Sequence, residues 1–146
     1  GRSVRRALLR RGEMAEAAIN NAVRDVIFEI KGTRDLLSVS PLDIRAIAGQ
    51  CKQTAVALRA LADQADNATS LNIPPAKTDA AVDACKAFIM FAQNCCRAKH
   101  ADPSAVSAES DKLTAKVREM TDVVNAQNPR YSRWQGAPAA AAAPRL

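Results

Sequence analysis

The stretch SPLDIRAIAGQCKQTAVALRALADQAD, residues 40–66, decides the fold. Ile44, Ile47, Cys51, Ala55, Leu58, Leu61 and Ala65 recur three and four residues apart, the spacing that lines up one face of an α-helix. The stretch also carries its own start signal. Ser40 is placed to cap, Pro41 sits where a missing N–H does no harm, and Asp43 suits the positive end of the helix dipole. Asn67 to Pro75 then closes it, because Pro74 and Pro75 forbid continuation.

Working outward, the same periodicity recurs three more times. Upstream, Ile19, Val23, Val26, Ile27, Ile30 and Leu37 predict a helix over about 13–37 that ends at Ser38–Ser40. Downstream, Val82, Cys85, Phe88, Ile89, Ala92, Cys95 and Cys96 predict a third helix over about 76–100, with Met90 and Phe91 widening its apolar face. Asp102 and Pro103 signal another start. Val106, Leu113, Val117, Met120, Val123 and Val124 then predict a fourth helix over 103–127. Four amphipathic helices with short connections make this an all-α chain, an antiparallel up-down four-helix bundle over 13–128. Residues 1–12 are a basic leader or an extension of the first helix. Residues 129–146, with Tyr131 and Trp134 ahead of a Gly/Pro/Ala stretch, read as a flexible tail or linker.

Composition agrees. Of 146 residues, nearly half are apolar, yet only five are aromatic, and small apolar residues suit close-packed helices better than sheets. The net charge of +6 belongs to the flanks. All fifteen acids lie between Glu13 and Asp122, a span holding only thirteen of the 21 basic residues. Arg2, Arg5, Arg6, Arg10 and Arg11 precede it, and Arg130, Arg133 and Arg145 follow it. The folded body is therefore slightly acidic. No apolar run reaches the ~20 residues of a membrane span, and no signal peptide is evident. Cys51, Cys85, Cys95 and Cys96 fall within helices at spacings unlike a disulfide framework, so they read as free thiols of a cytoplasmic protein. The first residue is Gly rather than Met, which reads as a piece of a larger protein.

The residues offer no catalytic constellation, and the chain is not expected to be an enzyme or to hold a cofactor. Its five glycines are scattered at 1, 12, 32, 49 and 136, so no phosphate-cradling loop exists. His100 is the sole histidine. Cys95, Cys96 and His100 lack a second ligand pair at useful spacing, and no metal is expected. Glu-x-x-His pairs of the di-iron bundles are absent.

Binding is the alternative to chemistry. Arg45, Lys52 and Arg59 stand seven apart on the second helix and stack along one side, bordering the apolar stripe. Lys86 and Arg97 add charge on the third helix. One reading is a solvated flank that keeps the bundle soluble. The other is a groove with a basic rim, suited to an amphipathic acidic helix whose apolar anchors supply affinity while the rim sets orientation.

The stretches at 40–66 and at 78–98, TDAAVDACKAFIMFAQNCCRA, resemble the focal-adhesion-targeting domain and, more broadly, the vinculin, talin and α-catenin group of helical bundles. The likeness covers about residues 15–127. A focal-adhesion-targeting likeness implies an adaptor or scaffold that docks acidic leucine-rich LD motifs of paxillin-like partners at adhesion or cortical cytoskeleton sites. It would place Arg45, Lys52 and Arg59 with Lys86 on the rim, and Ala48, Ala55, Val56 and Ile89 on the groove floor. A talin-like alternative makes the bundle a mechanosensitive rod module whose third helix is a cryptic vinculin-binding helix. A third reading uses the Arg-rich leader, Arg2, Arg5, Arg6, Arg10 and Arg11, to contact an anionic membrane or, with less support, nucleic acid. The cysteines depart from both families, but free Cys packs as a small hydrophobe.

Overall fold

The computed structural model describes residues 2–127, and the side chains of 14–127. The expectations placed on Tyr131, Trp134 and the tail fall outside the described residues. Among the described residues four helices follow in order: α1 (Arg2–Leu37), α2 (Ile44–Asn67), α3 (Pro75–Ala98) and α4 (Pro103–Ala126). Among the described residues there is no strand. A 3-10 turn, Thr69–Leu71, lies between α2 and α3. Each helix packs chiefly on two neighbours: α1 on α2 and α4, and α3 on α2 and α4.

Local chemistry sets the boundaries. The α2 start corrects the sequence expectation. Asp43, not Ser40, is the cap, and its carboxylate accepts from the Ala46 N–H at 3.1 Å. Pro41 therefore stands ahead of the helix, behind a cis Ser40–Pro41 bond. Asp102 does the same for α4, accepting from the Ala105 N–H at 3.1 Å with Pro103 at the first helical position. At the end of α3, Lys99 turns left-handed (φ 56°). Its N–H donates back to the last carbonyls, closing a helix without glycine.

The core follows the predicted rows with instructive exceptions. One cluster joins Ile19, Val23, Val26 and Ile30 of α1 to Leu58, Leu61 and Ala65 of α2. Ala81, Cys85 and Phe88 of α3 and Leu113, Val117, Met120 and Val124 of α4 complete it. A smaller one gathers Leu37, Ile47, Cys51, Ala92, Cys95 and Val106. Ala55 and Ile44, expected on the buried row of α2, are exposed. Thr54 takes the inward place instead and is fully buried. Helical rotation explains the exchange: relative to Cys51, Ala55 turns toward one flank and Thr54 toward the other. The linker is also less idle than its composition suggests. Ala68 and Leu71 are buried against the larger cluster, and the Gln127 side chain donates to the Leu71 carbonyl.

Candidate functional site

The eight predicted groove residues lie on α2 and α3, two helices that pack together. Arg45, Ala48, Lys52, Ala55, Val56, Arg59 and Lys86 are exposed; Ile89 is half-buried and touches both core clusters. Ile89 therefore fits the expected floor. Ala48, Ala55 and Val56 do not, since they belong to the exposed wall, with Val56 64% exposed.

Which flank of α2 they occupy follows from its polar contacts. Gln50 donates to the Glu29 carbonyl (3.2 Å) and to its carboxylate, and Thr54 meets Thr33 at 3.3 Å. The α1 side of α2 is thereby occupied. At about 100° per residue, Ala48, Lys52, Ala55 and Arg59 fall on the other side of the core row, toward α3. On α3, Lys77 pairs with Glu119 of α4 at 2.8 Å. The same rotation sends Val82, Lys86 and Ile89 to the opposite flank, toward α2. The two sets thus border one seam.

That seam differs from the other three in what closes it. The α1–α2 seam has the Gln50–Glu29 and Thr33–Thr54 bonds, with Gly32 making room. A Cβ there would lie 2.8 Å from the Gln50 amide nitrogen. The α1–α4 seam has Arg34, which donates to Ser107 at 3.1 Å and lies 3.7 Å from Asp111. The α3–α4 seam has Glu119 held by Lys77, with Lys116 alongside at 3.3 Å. Among the described residues, no side-chain hydrogen bond or ion pair joins α2 to α3. Arg45, Lys52, Arg59 and Lys86 likewise form no ion pair there.

Thiols gather in the core beside it, with Cys51 of α2 near Cys85 and Cys96 of α3. Cys51, Cys85 and Cys95 are buried and Cys96 is half-buried, all as free thiols. Burial raises all four pKa values, with nearby thiols adding to three of them. Cys85 is pushed up to about 11 by burial first and by Cys51 second. Such thiols remain protonated at neutral pH and act as small apolar groups.

His100 is exposed just past α3, its N–H donating to the Cys95 carbonyl at 3.1 Å. Among the described residues, no three His, Cys, Asp or Glu side chains are placed to share a metal ion. No described helix is long and apolar enough to cross a membrane. The side chains of Arg2, Arg5, Arg6, Arg10 and Arg11 lie outside those described, although the α1 helix itself runs back to Arg2. Sequence reasoning missed the Glu29–Gln50 and Thr33–Thr54 lock. Its signal was two threonines at inward register positions, Thr33 seven residues after Val26 and Thr54 seven before Leu61. Comparison with protein-family models, curated proteins and solved structures finds no match to this chain.

Proposed function

We propose that the chain is a non-catalytic adaptor whose α2–α3 seam binds an amphipathic acidic helix, leucine-rich in the manner of an LD motif. The observation that carries this reading is the contrast between seams. Each of the other three seams carries a polar side-chain bond between its helices, with Arg34 and Lys77 engaged across two of them, whereas Arg45, Lys52, Arg59 and Lys86 border a seam with no polar bond across it. An incoming helix would set leucines against Ile89 and the Ala48–Ala55 wall, and its carboxylates along the heptad-spaced cations. The apolar anchors supply residence time, and the rim supplies orientation and encounter rate.

The reading takes the bundle as antiparallel and up-down. Pairings between helices support this: Glu29 and Thr33, late in α1, meet Gln50 and Thr54, early to midway in α2. Arg34 likewise meets Ser107 at the start of α4. Lys77 at the start of α3 meets Glu119 near the end of α4. Adhesion or cortical cytoskeleton would be the setting if the partner is of the paxillin kind.

The test is titration of the isotope-labelled chain with an acidic leucine-rich helical peptide, followed through amide shifts. Shifts grouped on Arg45–Arg59 and Lys86–Ile89 are expected. Shifts confined to the α1–α4 side, or none at millimolar peptide, would remove the reading.

A further inference from the structure

Charge is ordered along the α2–α3 seam. On α2, Arg45, Lys52 and Arg59 come first and Asp63 and Asp66 follow, with Asp66 continuing the row seven residues after Arg59. On α3 the order is mirrored. Lys77 is turned away to Glu119; beyond it Asp79 and Asp83 precede Lys86 and Arg97, with Asp79 seven residues before Lys86. A seven-residue step returns to the same side of a helix within about 20°, so each rim changes sign along one flank. Lys77 apart, all of these charged residues are exposed, and none forms an ion pair among the described residues. Arg97 donates to Asn94 of its own helix, and Asp43, ahead of Arg45, is engaged in capping α2. The two reversals fall at the same end of the helix pair. Residues 68–74 join the end of α2 to the start of α3, and Ile47 and Cys51, early in α2, share a core cluster with Ala92 and Cys95, late in α3.

We infer that the seam selects its partner by the order of charge along it. The occupant is an amphipathic helix, acidic along most of its length and basic at its C-terminal end, lying parallel to α2 with that end over Asp66 and Asp79. This rests on the reading of the α2–α3 seam as the face that binds an acidic helix. From Arg45 to Arg59 the cations span about 21 Å at 1.5 Å per residue, and Asp66 lies about 10 Å further on. The partner's basic residues therefore follow its last acid on the cationic rim by about two turns. A helix acidic throughout and long enough to reach that end would bring carboxylates against Asp66 and Asp79, and like charges placed together oppose binding. Direction follows from the partner's own dipole, which favours acids near its N-terminus and bases near its C-terminus. Such a helix begins over Arg45 and ends over Asp66; one running the other way would carry its bases first, against its dipole.

Titration of the full chain with two helical peptides of one leucine-bearing framework, each long enough to span positions 45–66, tests this. One is acidic throughout, and the other ends in two lysines. The second should bind about five-fold more tightly. Asp66→Asn/Asp79→Asn should bring the two affinities together, and Asp66→Lys/Asp79→Lys should reverse their order. Both positions are exposed, so helicity should stay unchanged. A nitroxide on the C-terminal end of the second peptide should broaden amide signals around 63–66 and 79–83 rather than around 45–48. Equal affinities for the unaltered chain, a preference that survives both variants, or broadening at the Arg45 end overturns the inference while binding at the seam itself stands. Binding of neither peptide removes the seam reading and the inference together.

Discussion

The α3–α4 and α2–α3 seams are built from similar helices and finish with opposite surfaces. Between α3 and α4, Lys77 and Lys116 converge on Glu119, and charge is consumed inside the molecule. Between α2 and α3, sulfur and small apolar residues meet, and the cations at the rim keep their charge for whatever arrives. The difference teaches where to look for a binding surface in a four-helix bundle. A helix pair joined by polar bonds is committed to the fold, and one closed by burial alone leaves its charged flanks available.

If burial holds the α2–α3 side, truncating its core should cost far more than cutting any ion pair elsewhere. Phe88 of α3 is 1% exposed, and Phe88→Ala should lose about 3–5 kcal/mol in urea unfolding. A loss as small as that of an ion-pair mutant would break the comparison. Next comes the buried hydroxyl pair. Thr54→Val removes the bonds to Thr33 and to the Gln50 carbonyl and should cost about 1 kcal/mol. The double variant with Thr33→Val should cost less than the sum of the two single changes, because one partner is no longer left unsatisfied.

Smaller effects sharpen the polar side. Hydrogen bonds from Lys77 and then Lys116 hold the Glu119 carboxyl below its ordinary value of 4.5. Its stabilisation is complete above that value and is lost as pH falls through the lowered one. Lys77→Met should therefore flatten the acid limb of a urea-midpoint series while changing neutral stability far less than Phe88→Ala does. An unchanged acid limb would mean the pair does not persist in solution.

The thiols sharpen the other side. Burial raises their pKa values, so their contribution is present below the ordinary 9.0 and falls as pH rises, through about 11 for Cys85. Maleimide labelling at neutral pH should modify half-buried Cys96 first and Cys85 last. Rapid labelling of Cys85 would show that the seam opens more readily than its packing implies.

Much of this fold was legible because four apolar rows at helical spacing, each closed by Pro or a polar cluster, admit few other structures. Asp102–Pro103 read correctly since capping is local chemistry. Ser40–Pro41 misled for the same reason: it is a plausible start placed just ahead of the cap that operates, Asp43. Ala55 and Thr54 could not be ranked from hydrophobicity. Which is buried depends on how α2 is rotated against α1, and the threonine is admitted by its partners Thr33 and Gln50. The cations at 45, 52 and 59 were legible as a row. That they lack ion-pair partners among the described residues was not, because pairing is decided by neighbouring helices.

The most direct test of the account is the affinity of an acidic leucine-rich helical peptide for three proteins: the unaltered chain, an Arg45→Glu/Lys52→Glu/Arg59→Glu variant, and an Arg34→Glu variant at the α1–α4 seam. The account predicts that the triple variant binds at least roughly ten-fold more weakly with unchanged helicity, while Arg34→Glu binds as the unaltered chain does. Equal affinity across all three, or a loss with Arg34→Glu alone, would contradict it.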